Sequence, residues 1–145
     1  MRLIRAPLRV SEQGFTLLEI MVVVVIIGLL VAAVAPNFMG QIDTAAANRA
    51  RTDIRQIETA LNLYRLDNFR YPTTAEGLEA LVTNPGEASA PNWKQVLPRV
   101  PLDPWDQPYQ YASPGQRGDF DVFTFGADRQ EGGEGINADI GNWDL

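Results

Sequence analysis

Residues 14–39 read GFTLLEIMVVVVIIGLLVAAVAPNFM, and this long apolar stretch dominates the expected fold. As a helix, the 25 residues from Phe15 to Met39 would extend about 37 Å. This length exceeds the hydrocarbon core of a bilayer, which is about 30 Å thick. Glu19 is the one charged residue in the stretch, and a carboxylate in hydrocarbon costs roughly 2.5–3.5 kcal/mol on insertion scales. The stretch therefore predicts a membrane-spanning helix whose glutamate either has a charged partner or lies near the membrane surface.

The residues before this stretch bear on how the helix is oriented. Arg2, Arg5 and Arg9 give it a basic N-terminal flank, which predicts a cytoplasmic N-terminus and a C-terminal domain across the membrane. A basic flank before an apolar segment is also typical of secretory signal peptides, although this segment is long for one. Cleavage within residues 31–35 would then release a soluble secreted domain, which is the alternative interpretation.

The rest of the 145-residue chain is polar and acidic. From residue 40 onward there are nine Lys or Arg and sixteen Asp or Glu, a net charge of −7. This charge argues against a nucleic-acid partner, because such binding needs a basic surface. The chain has no Cys and no His, which excludes a disulfide framework and thiol catalysis and argues against zinc or copper sites. A cation held by oxygen ligands, such as calcium, is compatible with this composition.

An amphipathic helical segment follows the apolar one. Apolar residues recur at gaps of three and four, which is typical of a helix with one buried face: Ala47, Ala50, Ile54, Ile57, Leu61 and Tyr64. The helix is expected to end near Leu66, because Tyr71-Pro72 cannot continue it. Pro36 removes a helix hydrogen bond, so the sequence predicts either a kink or a helix end there. The immediate return of helical periodicity favours a kinked, continuous helix.

The C-terminal half predicts short elements around a small sheet. Thr73 and Glu76 have the spacing of a capping box at the start of a short helix. Five prolines between residues 84 and 104 indicate an irregular loop, pinned to the core by Trp93, Val96 and Leu97. Alternating patterns predict strands at residues 109–111 and 120–125 that form a hairpin, with Phe123 and Phe125 on one face, and a third short strand is expected near residues 142–143. A sheet this small needs the amphipathic helix to cover one side, which gives an α+β fold.

Residues 126–141, GADRQEGGEGINADIG, form an acidic, glycine-rich loop. Ordering glycine is entropically costly, and the four carboxylates of this stretch repel one another. The loop is therefore expected to be either solvated or ordered by a cation. Calcium would suit it, because calcium takes about six to eight oxygen ligands from carboxylates and carbonyls. The spacing does not match an EF-hand loop, and composition alone leaves both alternatives open.

The segment Gly14-Phe15-Thr16-Leu17-Leu18-Glu19 resembles the processing site of type IV prepilins and pseudopilins. The resemblance implies cleavage between Gly14 and Phe15 by a prepilin peptidase, followed by N-methylation of Phe15. It divides the chain into a removed leader (1–14), a transmembrane and filament-core helix (15–39) and a periplasmic globular domain (40–145). Glu19 would then pair with the new amine of its own or a neighbouring subunit. Pairing would offset the cost of burying each charge and set the axial register of the filament.

Further stretches, in the same order and over nearly the whole chain, resemble the major pseudopilin of type II secretion systems. They include Tyr64-Arg65-Leu66-Asp67-Asn68, Asp103-Pro104-Trp105, Gly126-Ala127-Asp128 and Ala138-Asp139-Ile140-Gly141-Asn142-Trp143. The resemblance implies a type IV pilin-like α+β fold, with a long N-terminal helix packed on a small antiparallel sheet and a calcium-binding C-terminal loop.

The same resemblance implies which residues of that loop bind calcium. They would be the side chain of Asp128, the carbonyl groups of Phe125 and Gln130, and Asn137 or Asp139. Relatives often have Asp-Ala-Asp where this chain has Asn137-Ala138-Asp139. An amide oxygen still ligates calcium but carries no charge, so binding of lower affinity is expected.

The resemblance also implies a function and a set of partners. The chain would be a homopolymer subunit of a periplasmic pseudopilus that drives folded proteins through an outer-membrane secretin. The implied partners are a prepilin peptidase and N-methyltransferase, minor pseudopilins, an inner-membrane platform protein with its secretion ATPase, the secretin and, before assembly, inner-membrane lipid.

Two other functions are compatible with parts of the sequence. The first is a type IV pilin or competence pseudopilin, but many such pilins carry a disulfide and this chain has no Cys. The second is a membrane-tethered enzyme that uses the clustered carboxylates as acids and bases. The glycine-rich loop offers no obvious desolvating pocket to raise a carboxylate pKa, so enzymatic activity is not expected.

Overall fold

Helix α1 is the longest element of the chain. The computed structural model describes residues 14–145, with residues 35–39 described by their backbone alone, so the predicted leader lies outside the described residues except for Gly14. Helix α1 spans Leu17–Asn68, and its backbone is helical at Pro36. The alternative of a helix end at this proline is therefore wrong. The chain divides into two compact units, Met1–Met39 and Gly40–Leu145.

The described part of the N-terminal unit has no core of its own. The segment Leu17–Val34 has a mean hydropathy of 3.1, and none of it is buried within the chain. By length and composition it could cross a membrane. Its apolar surface must therefore be buried by lipid or by other protein chains.

The globular unit builds its core on one stripe of α1. The predicted residues Ala50, Ile54, Ile57, Leu61 and Tyr64 are buried, and Ala47 packs against them partly exposed. This confirms the amphipathic pattern. The helix ends at Asn68, two residues beyond the expected position. Phe69 follows it with a left-handed φ of 60°, and its N–H donates to the carbonyl oxygen of Arg65 at 2.7 Å.

A capping box follows α1 but does not start an α-helix. The Glu76 N–H donates to Thr73 Oγ1 at 3.2 Å, and the Thr73 N–H donates to Glu76 Oε2 at 2.8 Å. The reciprocal bonds confirm the predicted box. Gly77 then adopts a φ of 62°, which interrupts helical geometry. What remains is a 3-10 helix, Leu78–Leu81, with both leucines buried.

The proline-rich loop is irregular, and its apolar residues attach it to the core as predicted. The indole Nε1–H of Trp93 donates to the Ala80 carbonyl oxygen at 2.7 Å. The N–H groups of Val96 and Leu97 both donate to the carbonyl oxygen of Leu81, at 2.9 and 3.0 Å. These bonds satisfy the end of the 3-10 helix and hold the loop against the core cluster.

The sheet has three short antiparallel strands in the order β1–β2–β3. Strand β1 is Gln110–Ala112, β2 is Asp121–Thr124 and β3 is Ile140–Gly141. Two further 3-10 helices, Gly135–Asn137 and Asn142–Asp144, precede and follow β3. In the ladder, Tyr111 is opposite Val122 and Thr124 is opposite Ile140. The predicted hairpin between the first two strands is confirmed.

The third strand ends directly before Asn142, because the side chain of Asn142 replaces the backbone in pairing with the neighbouring strand. Its Oδ1 accepts the Val122 N–H at 3.1 Å, and its Nδ2 donates to the Phe120 carbonyl oxygen at 3.1 Å. The amide of one side chain thus satisfies both backbone groups that a longer strand would have bonded. The prediction of a third short strand near residues 142–143 is confirmed, and this strand, β3, ends at Gly141.

The two faces of the sheet have different surroundings. Val122 and Ile140 lie in the same buried cluster as the α1 stripe, so the helix covers this face as predicted. Phe123, Phe125 and Trp143 cluster together, with ring centroids 5.2 Å apart for Phe123–Phe125 and 5.6 Å apart for Phe123–Trp143. The prediction that Phe123 and Phe125 share one face is confirmed.

Candidate functional site

The predicted processing motif lies at the start of α1. Thr16 precedes the helix, and its Oγ1 accepts the N–H of Glu19 at 3.2 Å. Its carbonyl oxygen accepts the N–H of Ile20 at 3.3 Å. Thr16 is therefore the N-cap of α1. The sequence interpretation gave Thr16 no such role, although Thr16 and Glu19 have the capping-box spacing that was recognised at Thr73 and Glu76.

Glu19 has no charged partner among the residues that the structure describes. It lies in the first turn of α1, where the helix dipole favours a negative charge. Within residues 14–145, its carboxylate forms no salt bridge. Gly14 and Phe15 lie within five residues of it along the chain, and the ring of Phe15 is exposed. The described residues therefore give Glu19 no compensating positive charge.

The acidic loop folds back on itself between β2 and β3. The Ala127 N–H donates to the Ile136 carbonyl oxygen at 3.1 Å, and the Asp139 N–H donates to the Gly132 carbonyl oxygen at 3.3 Å. These bonds bring the outgoing arm of the loop, which contains Asp128, next to its returning arm.

Glycine allows the two arms to approach closely. Gly126 has a φ of 74°, and a Cβ on it would lie 2.8 Å from the carbonyl carbon of Asn137 and 2.9 Å from the carbonyl oxygen of Ile136. Both the left-handed φ and the lack of space exclude a side chain here. Gly133, with a φ of 85°, also approaches Asn137 closely, and a Cβ on it would lie 2.9 Å from the carbonyl carbon of Asn137. Both glycines are therefore needed for the packing around Asn137.

Asp139 is the predicted ligand with an unsatisfied oxygen. Its Oδ2 accepts the Gly132 N–H at 3.0 Å, whereas its Oδ1 is buried and has no hydrogen-bond partner among the described residues. A buried acceptor without a partner costs about 1–3 kcal/mol, so such atoms mark sites for water or ions. Asp128 is exposed, and its Oδ1 accepts the Gln130 N–H at 3.2 Å in a local turn.

Carboxylates alone could not hold a metal in this loop. Within residues 14–145, no group of three or more His, Cys, Asp or Glu side chains is close enough to do so. A cation would have to draw on amide and backbone oxygens as well, and these are hard donors of the kind that calcium accepts. Of the predicted carbonyl donors, Phe125 is partly buried at the start of the loop and Gln130 is exposed on the outgoing arm.

Asp103 is a buried carboxylate to which the sequence interpretation gave no role beyond family resemblance. Its Oδ1 accepts the N–H groups of Trp105 at 2.9 Å and Gln107 at 2.7 Å, and its Oδ2 accepts the hydroxyl of Thr124. The position before Pro104-Trp105, in a proline-rich segment, is typical of an Asp that caps its own turn. That signal could have identified the turn, but not its bond to β2.

Two other polar contacts hold the globular unit together. Arg70 donates to both carboxylate oxygens of Glu76, at 2.7 and 2.8 Å, and these bonds lower the pKa of Glu76 to about 2. Burial raises the pKa of Tyr109 far above its usual range, and Asp53 raises it further. The protonated hydroxyl of Tyr109 donates to Asp53 Oδ2 at 3.2 Å and so ties the loop before β1 to helix α1.

Comparison with protein families identifies two matching segments. The family described as "Type II secretion system (T2SS), protein G" matches residues 37–143, and the family described as "Prokaryotic N-terminal methylation motif" matches residues 9–35. The first match covers most of the globular unit, and the second covers the motif around Gly14 and the apolar helix.

Individual proteins give the same result. The chain is 54% identical over 137 residues to the type II secretion system core protein G of Vibrio cholerae, covering 93% of this chain and 94% of that protein. It is 52% identical to the protein of the same name from Pseudomonas aeruginosa, covering 94% and 98%. It also matches the crystal structure of the major pseudopilin from the type 2 secretion system of enterohaemorrhagic Escherichia coli. That match has a TM-score of 0.66 and 42% identity, and it covers 76% of this chain and 96% of that one.

Proposed function

Because this chain belongs to the protein G family of type II secretion systems, the major pseudopilins, we propose that it polymerises into a periplasmic pseudopilus that drives folded proteins through an outer-membrane secretin. The observation that carries this proposal is the exposed apolar helix Leu17–Val34 with Glu19 in its first turn. A helix that is apolar on all sides needs an apolar environment on all sides. Lipid supplies that environment before assembly, and the helices of other copies supply it in the filament.

Processing would give Glu19 its partner. Cleavage between Gly14 and Phe15 creates an N-terminal amine one helical turn before Glu19, and N-methylation leaves that amine basic. The motif of residues 9–35 supports both steps, because it is the N-terminal methylation motif. In an apolar environment, the amine and the carboxylate each offset the cost of burying the other. If the amine belongs to the neighbouring subunit, the pair also sets the axial register.

The basic flank supports the orientation of the chain in the membrane. Arg2, Arg5 and Arg9 predict a cytoplasmic N-terminus, with the globular unit in the periplasm. A prepilin peptidase would act on the cytoplasmic side. Minor pseudopilins, the inner-membrane platform protein, the secretion ATPase and the secretin would be the partners of the assembled filament.

Exposed apolar residues at the end of α1 support contact between globular units of different copies. Leu63, Leu66 and Phe69 are 48%, 73% and 87% exposed, respectively. They lie opposite the buried stripe or just after the helix, so they contribute little to the internal core. Burial of such residues against a second copy would add hydrophobic stabilisation to the filament.

Calcium would order the acidic loop. The side chains of Asp128 and Asp139, the amide oxygen of Asn137 and the carbonyl oxygens of Phe125 and Gln130 would hold the ion. The unpartnered, buried Oδ1 of Asp139 supports this assignment, as does the close approach of Asn137 to Gly126. When bound, the ion neutralises part of the loop's negative charge and offsets the entropy lost by its glycines.

The filament proposal is tested by replacing Glu19. The Glu19→Ala variant, expressed with the secretion machinery, should insert in the membrane and be cleaved, yet it should form few filaments and secrete little protein. Intact-mass analysis should show the loss of residues 1–14 and the gain of one methyl group in both wild type and variant. The control is Glu12→Ala, which removes a carboxylate from the discarded leader and should assemble normally.

Two results would contradict the proposal in different ways. A mature mass that begins near residue 35 would indicate an ordinary signal peptidase and would exclude the pseudopilin processing site. Normal filaments from Glu19→Ala would leave the processing site intact but remove Glu19 as the source of register.

A further inference from the structure

A buried hydrogen-bond chain runs from the proline-rich loop to the start of the acidic loop. Asp103 accepts the hydroxyl of Thr124, the last residue of β2. The same hydroxyl oxygen accepts the N–H of Gly126 at 3.3 Å. Asp103 and Thr124 are 1% and 2% exposed, so solvent cannot replace either bond. One hydroxyl, as donor and acceptor together, therefore links a fixed carboxylate to the backbone of Gly126.

This series of hydrogen bonds ends at Gly126, the residue on which the loop geometry depends. Gly126 is the point where the backbone leaves β2 with a left-handed φ and comes into contact with Asn137 on the returning arm. Phe125 lies between Thr124 and Gly126, so the orientation of its carbonyl group depends on the same two residues. A cavity of about 200 Å³ adjoins this point and is lined by Asp103, Thr124, Phe125, Gly126 and Arg129, among others.

Asp103 is itself rigidly held. Its Oδ1 accepts two backbone N–H groups within the turn that contains Pro104, so the carboxylate cannot rotate without leaving two partly buried donors unpaired. A buried carboxylate is a costly way to stabilise a fold, and an apolar residue of similar size often serves as well. The buried carboxylate of Asp103 therefore suits a role that needs a directed acceptor.

We propose that Asp103 is a positioning residue for the calcium loop, and that it acts through Thr124 to fix the Phe125 carbonyl group and the contact between Gly126 and Asn137. The inference rests on the proposed calcium site. The bond chain orders one end of the glycine-rich loop before the ion binds, and the ion then orders less of it. Loss of these hydrogen bonds should therefore lower the calcium affinity more than it lowers the stability of the fold. Metal-site residues that orient ligands without touching the ion typically contribute about 10–100-fold in affinity.

The experiment measures calcium affinity by titration calorimetry, and melting temperature with calcium or with chelator, on the full-length chain in detergent. Thr124→Val keeps the shape of the side chain but removes the hydroxyl, and it should weaken calcium binding about 10-fold or more. Thr124→Ser restores the hydroxyl and should bind calcium nearly as wild type does. Asp103→Asn should resemble Thr124→Val. Asp106→Asn, an equal charge change at an exposed residue of the same turn, is the control.

The outcomes separate this inference from the calcium site itself. If Thr124→Val and Asp103→Asn lower the melting temperature equally with calcium and with chelator and leave the affinity unchanged, their role is structural only and the inference is wrong. The same conclusion follows if Thr124→Ser fails to restore affinity. The site itself is tested in wild type, where calcium should raise the melting temperature. Asp139→Asn should reduce that rise, because an amide oxygen ligates calcium without a charge, and Glu134→Gln should retain the full rise. If calcium does not raise the melting temperature of wild type, both the proposed site and this inference are wrong.

Discussion

Helix α1 carries apolar side chains along both of its halves, but only the second half buries them within the chain. Ile26 and Ile27 are 50% and 54% exposed, whereas Ile54 and Ile57 are fully buried. The difference follows from the pattern, since the first half is apolar on all sides and the second has a single stripe. A stripe needs one packing surface, and the small sheet provides it. An all-round apolar helix needs a surrounding medium, which one copy of this chain does not supply.

Carboxylates in the two units also differ in whether they have a charged partner. Glu76 receives two hydrogen bonds from Arg70 inside the globular unit, and its pKa falls to about 2. Glu19 has no salt bridge with any residue from 14 to 145. The first carboxylate is satisfied by folding. The second has no such partner among the described residues, and the proposed processing and assembly would supply one.

The largest expected effect comes from truncating the buried stripe. Ile57→Ala should lower the free energy of unfolding of the globular unit by about 2–5 kcal/mol, because it removes buried atoms and leaves a cavity. Ile26→Ala removes the same atoms from the exposed half and should leave that free energy unchanged. Denaturant unfolding of the full-length chain in detergent, followed by tryptophan fluorescence, measures both. If both variants lowered the free energy of unfolding equally, the proposed difference between the two halves of α1 would be wrong.

A smaller effect is expected from Glu76→Gln. This variant should lower the free energy of unfolding of the globular unit by about 1.5–3 kcal/mol near neutral pH, because hydrogen bonds to a charged group are lost. The folded-state pKa of Glu76 is lowered from 4.5 to about 2. Its contribution is therefore fully present above about pH 4.5 and is lost as the pH falls towards 2. Unfolding free energies measured across this window should fall for wild type and converge with those of the variant. Glu87→Gln, at an exposed position, is the control, and its unfolding free energy should change with pH as that of wild type does. If the difference in unfolding free energy between wild type and Glu76→Gln stays constant across this pH range, Glu76 is not the group responsible.

The smallest expected change in stability comes from Phe69→Asn, which should raise the free energy of unfolding rather than lower it. Phe69 is exposed and has a φ of 60°, a conformation that asparagine adopts more readily than phenylalanine. The variant should stabilise the globular unit by about 0.5–1 kcal/mol, yet it should assemble less well if the ring contacts another copy. Leu66→Asn, on the helix itself, should impair assembly without any gain in stability. Thermal unfolding and filament yield together measure the two effects, and normal assembly of both variants would exclude this surface from the interface.

Most of the fold followed from local patterns in the sequence. The 3.6-residue spacing of Ile54, Ile57 and Leu61 predicted the buried stripe, and the alternation around Phe123 predicted β2. The third strand was predicted near its observed position, but its end at Gly141 was not predicted, because it depends on the hydrogen bonds of the Asn142 side chain. A pattern of residue types does not reveal which polar side chain will substitute for a backbone group.

The candidate sites were predicted unevenly. Gly14, Phe15 and Glu19 form one contiguous motif, so a local signal sufficed to identify them as candidates. The loop residues were found through family resemblance, and their roles as ligands stay a prediction. Asp103 and Thr124 lie 21 residues apart in sequence and meet only in the folded chain. No local pattern connects them, because their contact depends on how the proline-rich loop lies against the end of β2.

The sequence by itself determined the apolar helix, the amphipathic continuation of α1, the acidity of the globular unit and the family to which the chain belongs. The first three properties depend on composition and on spacing along one helix, which are local, whereas the family follows from the resemblance of short motifs along nearly the whole chain. Only the tertiary structure decided where β3 ends, which oxygen of Asp139 lacks a partner and which buried carboxylate supports Gly126. Those features arise where segments distant in sequence are packed together, because burial forces each polar atom to find a partner among whatever the fold brings near it.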